Sequence, residues 1–294
     1  MNNINIRDLI YQPADEADSP LKQPAVKVDT VEQYLAEIDK VYDKFWGGNQ
    51  AADTLKYSSK VWFRGLKDKD YQMLPSLGRS PLNVDYETIY LSKFKSKAIP
   101  YLGFLPAYPF SEGLQSYWSW LFLMQHYGVP TRLMDWSEDA LVALLFAIDV
   151  NATPAELAKD PVVWCLNPVK LNEAFVFNDI YPKGYIPNVE EDEVYELFGP
   201  DNNGFNNKKP CAVYGPLNNT RIVAQKGVFT IFPYTKPMVK FDQLPDSGQY
   251  LTNIIINKDA RKSLTEQLRK YGLTNAQLFP EISSIANEIK EEGY

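Results

Sequence analysis

One arginine, followed at a distance by one short polar run, offers the residue types and spacing that could do chemistry. Arg64 lies between apolar residues and Gly65 in V-W-F-R-G, a pattern typical of a strand end. Burying an unpaired guanidinium is unfavourable, so Arg64 requires a partner. The partner is either an internal carboxylate, for which Asp135 is the candidate, or a ligand phosphate bound through two parallel hydrogen bonds. Gly65 would let such a ligand approach the backbone.

The polar run covers 126–137, H-Y-G-V-P-T-R-L-M-D-W-S. Strand alternation would place Arg132 and Asp135 on opposite sides, so that one of them enters a pocket. His126 is either a hydrogen-bonded structural residue or a site residue. Asp135 either pairs with an arginine or caps a helix, or it faces the pocket. Ser137 is expected to cap the helix that follows.

A third polar segment, R-I-V-A-Q-K-G-V-F-T-I-F-P at 221–233, predicts two strands broken at Lys226-Gly227. Gln225 precedes the break. It would either form a turn bond or contact a ligand amide.

The elements that must position these residues indicate an α+β fold with small mixed or antiparallel sheets flanked by helices. Apolar periodicity predicts helices at 30–46, 85–98, 116–127, after 137, at 258–271 and at 280–292, and strands at 61–64, 131–136, 162–167 and 253–257. The domain expectation is an arm at 1–28, one domain at 29–257 with core motifs at 61–233, and a helical cap at 258–294 packed on that domain. The aperiodic stretch 178–219 is expected to be an insertion or lid.

Composition removes several classes of function. The net charge of -7 disfavours a general nucleic-acid binder. The single histidine rules out an H-E-x-x-H zinc site, no G-x-S-x-G elbow is present, and no metal is expected. The two cysteines imply no disulfide framework, and no apolar run approaches the length of a membrane span. The expected location is the cytoplasm, with no membrane partner.

Several motifs together resemble the FRG domain family. They are Phe63-Arg64-Gly65, L-P-S-L-G-R at 74–79, M-Q-H-Y-G-V-P-T-R-L-M-D-W-S with the A-L-V-A-L-L-F-A helix after it, W-C-L-N-P at 164–168, A-Q-K-G-V-F, and L-F-P-E-I at 278–282. The likeness spans roughly 31–290. It implies a fold family more firmly than an activity.

A more distant resemblance is to ADP-ribosyltransferases, which carry an arginine on the first core strand, a serine on a second strand that leads into a helix, and a glutamate on a later strand. This likeness implies an ADP-ribosyltransferase-like core and NAD as cofactor. Arg64 would hold the NAD phosphates and Ser137 would orient the nicotinamide ribose. No glutamate occurs in R-I-V-A-Q-K-G-V-F, and Asp135 is the carboxylate that could substitute.

Three functional hypotheses therefore stand together. The first is an NAD-consuming effector in a toxin or phage-defence context, acting on a protein or RNA target. The second is a non-catalytic module that senses a nucleotide or a phosphorylated partner, and the third is an RNA-directed nuclease. The expected catalytic residues are Arg64, His126, Asp135 and Ser137. The expected cofactor-binding residues are Arg64, Gly65, Arg132 and Gln225.

Overall fold

The computed structural model describes residues 27–47, 60–79, 84–98, 100–101, 114–149, 152–174, 181–200, 209–216 and 220–291. Within these ranges the protein has a mixed α+β fold built on one six-stranded antiparallel sheet, which confirms the predicted fold class. The strands are β1 (Trp62–Leu66), β2 (Leu133–Ser137), β3 (Val162–Leu166), β4 (Cys211–Val213), β5 (Gly227–Ile231) and β6 (Leu251–Ile255). Their order across the sheet is β4-β5-β2-β1-β3-β6.

Helices pack against both faces of this sheet. They are α1 (Val31–Trp46), α2 (Asp85–Ala98), α3 (Leu114–His126), α4 (Ala140–Ala147), α5 (Pro154–Leu157), α6 (Pro168–Glu173), α7 (Asp192–Phe198), α8 (Thr220–Ala224), α9 (Ser247–Tyr250), α10 (Arg261–Lys270), α11 (Asn275–Leu278) and α12 (Ile282–Glu291). None of the helices in the described ranges is long and apolar enough to cross a bilayer.

Two apolar clusters share one face of the sheet. Phe63 and Val163 pack with α1, α4 and α10 over β1, β3 and β6. Leu133 and Phe229 pack with α3 over β2 and β5. Because Phe63 stands opposite Ser137 in the sheet and Leu133 alternates in step with Ser137, both clusters lie on the same side. The boundary between them therefore runs between α3 and α4, above the junction of β1 and β2.

The opposite face of the sheet is covered by a third cluster that is rich in tryptophan. Trp62, Trp136 and Trp164 are buried there with Phe241 and Tyr250. Burying a large apolar side chain stabilises a fold by roughly 1.5–3 kcal/mol, so this face contributes stability rather than a ligand platform. Trp62 and Trp136 are therefore core residues.

Part of the 178–219 stretch forms α7 and the edge strand β4, and whether this stretch is an insertion or a lid stays a prediction. The structure corrects several other local predictions. The first half of 221–233 is the short helix α8 rather than a strand. Helical periodicity predicts that Ile89 of α2 faces inward, but it is 45% exposed. Ser137 ends β2, and Asp139 caps α4 instead by accepting from the backbone N–H groups of Leu141 and Val142.

The two ends of the chain join the same core where they are described. Most of the predicted 1–28 arm, residues 1–26, lies outside the described residues. Val28 is buried and pairs with Ile256 beyond the end of β6. Leu264 and Leu268 of α10 are buried in the cluster that contains Phe63.

Candidate functional site

β1 and β2 are hydrogen-bonded neighbours along only a fraction of their length. One pair, Phe63 opposite Ser137, is in register between them, whereas β1 with β3 and β2 with β5 each keep five pairs in register. Continuing the antiparallel register would set Gly65 opposite Asp135, but that pair is not made. The sheet is therefore open between these strands beyond Phe63, and polar groups there are not used by the ladder.

Gly65 lets β1 pack closely against the backbone of α4. A Cβ at this position would lie 2.0 Å from the carbonyl oxygen of Ala143 and 2.7 Å from the backbone N of Ala147. Glycine is thus required for β1 to approach the backbone of α4. The expected role of Gly65 in ligand approach is secondary to this packing role, although the residue does line the cavity described next.

A cavity of about 250 Å³ lies above the open part of the sheet, between α3 and α4. Its apolar wall consists of aromatic side chains from both clusters and from β5: Phe63, Phe122, Phe146 and Phe229. Its polar lining consists of Arg64, Gln125, His126, Asp135, Ser137, Arg221 and Gln225. The sequence-predicted residues Arg64, Gly65, His126, Asp135, Ser137 and Gln225 are therefore brought together at one place.

Arg64 reaches across the open stretch to β2. Its Nη1 donates to the backbone carbonyl of Asp135 at 2.5 Å and lies 4.0 Å from the Asp135 carboxylate. The side chain is 17% exposed, and no other hydrogen bond from its guanidinium occurs among the described residues. Burial lowers the pKa of Arg64, Asp135 opposes the shift and Arg79 adds to it, but an arginine stays protonated in proteins. Most of its donors remain available.

Asp135, which lies on β2, faces the cavity. Its carboxylate is 56% exposed and accepts a hydrogen bond from Nε2 of Gln125 at 2.9 Å. The amide of Gln125 is oriented in turn by the hydroxyl of Thr131, which donates to Oε1. The Gln125 amide orients the Asp135 carboxylate by bonding to one of its two oxygens. Asp135 is the acidic side chain in the cavity lining.

His126 ends α3 on the opposite wall. Its ring packs edge-on against Tyr127, with centroids 4.8 Å apart. Burial lowers the pKa of His126, Arg221 lowers it further, and Glu281 opposes the shift. The neutral imidazole is therefore favoured, with one nitrogen able to donate and the other able to accept.

Ser137 and Gln225 hold the floor of the cavity together. The Ser137 hydroxyl donates to the backbone carbonyl of Gln225 at 2.7 Å and accepts from the N–H of Asp139 at 2.9 Å. The amide of Gln225 donates to the carbonyl of Leu278 at 3.0 Å. Both side chains are already engaged inside the protein, so they act first as positioning groups for the strand and for the C-terminal segment.

The central part of the chain matches one known family. Residues 59–156 match the FRG domain. This segment is an FRG domain. Searches of curated proteins and of solved structures found no match. The matched segment is shorter than the predicted span of 31–290. It supplies β1, α3, β2 and α4, and hence Arg64, Gln125, His126 and Asp135.

The FRG domain segment does not complete the cavity by itself. Arg221, Gln225 and Phe229 line the same cavity and follow the matched residues in the chain. The part of the chain that the structure describes contains no group of three His, Cys, Asp or Glu residues placed to hold a metal ion.

Arg132 is the predicted cofactor-binding residue that the structure places elsewhere. It is fully buried, its Nε donates to the Glu87 carboxylate at 2.8 Å, and its Nη2 donates to the Tyr117 hydroxyl at 2.9 Å. Nη1 donates to the carbonyl of Phe232 at 2.9 Å. A guanidinium whose donors are all directed to internal acceptors cannot contact a ligand in the cavity, which Arg132 does not line. Its role is to join α2, α3 and the start of β2.

Sequence reasoning missed two polar residues of the cavity, Gln125 and Arg221. Gln125 had a usable signal, since it interrupts the otherwise apolar helix F-L-M-Q next to His126. Arg221 and Gln225 are four residues apart, which on a helix brings them to one face. Because the sequence predicts a strand over 221–224, it does not indicate that Arg221 and Gln225 share a face.

Proposed function

We propose that this FRG domain protein binds a nucleotide or another phosphorylated small molecule in the cavity, with Arg64 contacting the phosphate. The observation that carries the proposal is the geometry of Arg64. Its guanidinium is held in place by a backbone carbonyl, with the Asp135 carboxylate as far away as 4.0 Å. The planar donor fork is thus positioned but not saturated, which suits bidentate binding of a phosphate.

The charge of the cavity supports an anionic ligand. Two guanidinium groups, Arg64 and Arg221, face one carboxylate, Asp135, while His126 favours its neutral form. The cavity is therefore locally cationic in a protein whose net charge is -7. A local cationic site in a low-dielectric wall attracts anions even when the protein as a whole repels them.

The apolar wall supports a ligand with a planar ring. Aromatic side chains stack on nucleobases with little preference for sequence, each stack contributing about 1–3 kcal/mol. The volume of about 250 Å³ is slightly below the roughly 300–1,000 Å³ typical of ligand pockets. It suits a mononucleotide, or one half of NAD with the other half extending outside. The NAD phosphates would then lie on Arg64, and Phe146 or Phe122 would contact a ring.

The test is a titration of the wild-type chain with the four nucleoside monophosphates and NAD, followed by NMR chemical-shift changes and by thermal stabilisation at constant ionic strength. We expect saturable binding of at least one compound and at least about ten-fold weaker binding in Arg64→Gln, since charged hydrogen bonds contribute about 1.5–3 kcal/mol. Lys262 is exposed on α10, so Lys262→Gln is the matched change of charge and should bind like wild type. Equal binding by Arg64→Gln would reject the proposal.

Asp135 favours a second candidate, NAD cleavage. Its carboxylate faces the cavity beside the proposed phosphate contact and is oriented by Gln125. A carboxylate there would stabilise the oxocarbenium ion that forms when the bond between ribose and nicotinamide breaks. Water then adds to the ribose carbon, giving ADP-ribose, nicotinamide and a proton. Mass spectrometry of NAD incubated with wild type and with Asp135→Asn separates the two candidates. Binding without nicotinamide release indicates a sensing module.

A further inference from the structure

Arg221 combines two properties that ordinary surface arginines do not share. It lines the cavity, and its guanidinium carbon lies 4.5 Å from the centroid of the Phe279 ring. No carboxylate forms an ion pair with it among the described residues. A cation–π contact with a ring does not require all five N–H donors of a guanidinium, so donors of Arg221 are left for an anion.

The ring beneath Arg221 is itself fixed by the C-terminal segment. Phe279 packs edge-on against Phe146 of α4, with centroids 5.6 Å apart. The preceding carbonyl, that of Leu278, accepts the amide hydrogen bond from Gln225. The C-terminal segment therefore packs under Arg221 beside the cavity, and such support would reduce the entropy lost when the side chain binds a ligand.

Arg64 and Arg221 approach the cavity from different sides. Arg64 belongs to β1, whereas Arg221 belongs to α8, which leads into β5, and β2 lies between those strands. Their contacts also differ, because Arg64 donates to the backbone carbonyl of Asp135 whereas Arg221 lies over the ring of Phe279. The two guanidinium groups are thus separate positive centres.

We infer that Arg221 is a second anion contact, and that the ligand of this cavity carries two anionic groups or one extended polyanionic chain. This inference rests on the proposed function and deepens it, because it assigns the ligand class that Arg64 alone leaves open. Arg221 selects for the length of the anion, whereas Arg64 supplies the contact that every anion uses.

A series of anions of increasing length tests the inference: inorganic phosphate, pyrophosphate and tripolyphosphate, titrated by NMR at constant ionic strength. For wild type we expect the affinity to rise by at least about ten-fold from phosphate to the longer anions, in line with one additional charged contact. Arg221→Gln should weaken phosphate binding less than it weakens binding of the longer anions, and it should lose most of the gain in affinity with anion length. Phe279→Leu keeps the positive charge of Arg221 but removes the ring that supports it. This variant should therefore lose part of the gain in affinity with anion length.

The outcomes separate this inference from the proposal on which it rests. If phosphate binding is lost in Arg64→Gln while the gain with length persists in Arg221→Gln, the second contact is rejected and the proposed function stands. If no anion binds wild type, both fail. Thermal unfolding of each variant without anion verifies that it is folded. Lys262→Gln must show the wild-type gain in affinity with anion length, because a general effect of lost positive charge would reduce that gain in this variant as well.

Discussion

Arg64 donates to the backbone carbonyl of Asp135 at 2.5 Å, while the Asp135 carboxylate lies 4.0 Å away and bonds to Gln125 instead. The arginine is therefore positioned by the main chain of β2, which no side-chain substitution removes. The two charges of this pair are free to act separately on a ligand.

Asp135→Asn should consequently strengthen anion binding. The substitution removes a negative charge from the cavity wall and leaves the anchoring carbonyl of Arg64 in place. Because exposed ion pairs contribute about 0.2–1 kcal/mol, we expect the affinity for a nucleoside monophosphate to rise by up to about five-fold. Titration of both proteins at low salt measures this. Weaker binding by Asp135→Asn would mean that the carboxylate contacts the ligand or orients Arg64.

Arg132→Met should unfold the protein far more readily than Arg64→Met. Arg132 and Glu87 are a fully buried ion pair, and removing one member of such a pair costs about 3–5 kcal/mol. Arg64 borders a cavity, so we expect its loss to change the free energy of unfolding by no more than about 1 kcal/mol. Urea unfolding of both variants measures the contrast. The double variant Glu87→Leu with Arg132→Met should recover much of the loss, and a failure to recover would indicate a role for Arg132 beyond pairing.

Gly65→Ala should be destabilising through a backbone clash with α4. The added methyl group would lie 2.0 Å from the carbonyl oxygen of Ala143, so β1 or α4 must move, which costs roughly 1–3 kcal/mol or more. Gly272→Ala is the control, because its Cβ would meet no atom within 4 Å and only its positive φ of 81° is unfavourable. If the two variants have equal melting temperatures, close packing of β1 on α4 does not explain Gly65.

Stability should fall in mild acid because of His126. Burial holds the pKa of His126 below its ordinary value, so the unfolded chain binds the proton first as the pH falls. The contribution of the neutral imidazole is complete above about pH 6.5 and is lost as the pH falls through the folded pKa. The charged side chains that act on His126 are Arg221 and Glu281. His126→Gln should therefore lose less stability than wild type between about pH 7 and pH 5.5; parallel slopes would contradict this.

Sequence patterns were sufficient for most of the main elements and for six of the residues around the cavity, whereas Gln125 and Arg221 were missed. Repeating apolar positions predicted α1, α2, α3 and five of the strands, at least in part, and the F-R-G and H-Y-G-V-P-T-R-L-M-D-W motifs predicted an FRG domain. The strand predicted in the first half of 221–233 was wrong. The five-residue helix α8 is too short for periodicity to identify.

The wrong predictions of side-chain roles depended instead on contacts between residues that are far apart in the chain. Arg132 and Arg64 look equivalent in sequence, each beside a short strand. Only the partner Glu87, 45 residues earlier in the chain, distinguishes the buried pair from the exposed contact. Ser137 likewise could not be told from a cap without knowing that the carbonyl of Gln225 lies beside it.

The central claim, that Arg64 binds a phosphate through its planar fork, is tested most directly by Arg64→Lys. This variant keeps the positive charge and loses the paired donors. In titrations with the nucleoside monophosphate that binds wild type most tightly, we predict at least about ten-fold weaker binding with an unchanged melting temperature. Equal affinity for wild type and Arg64→Lys would contradict the account.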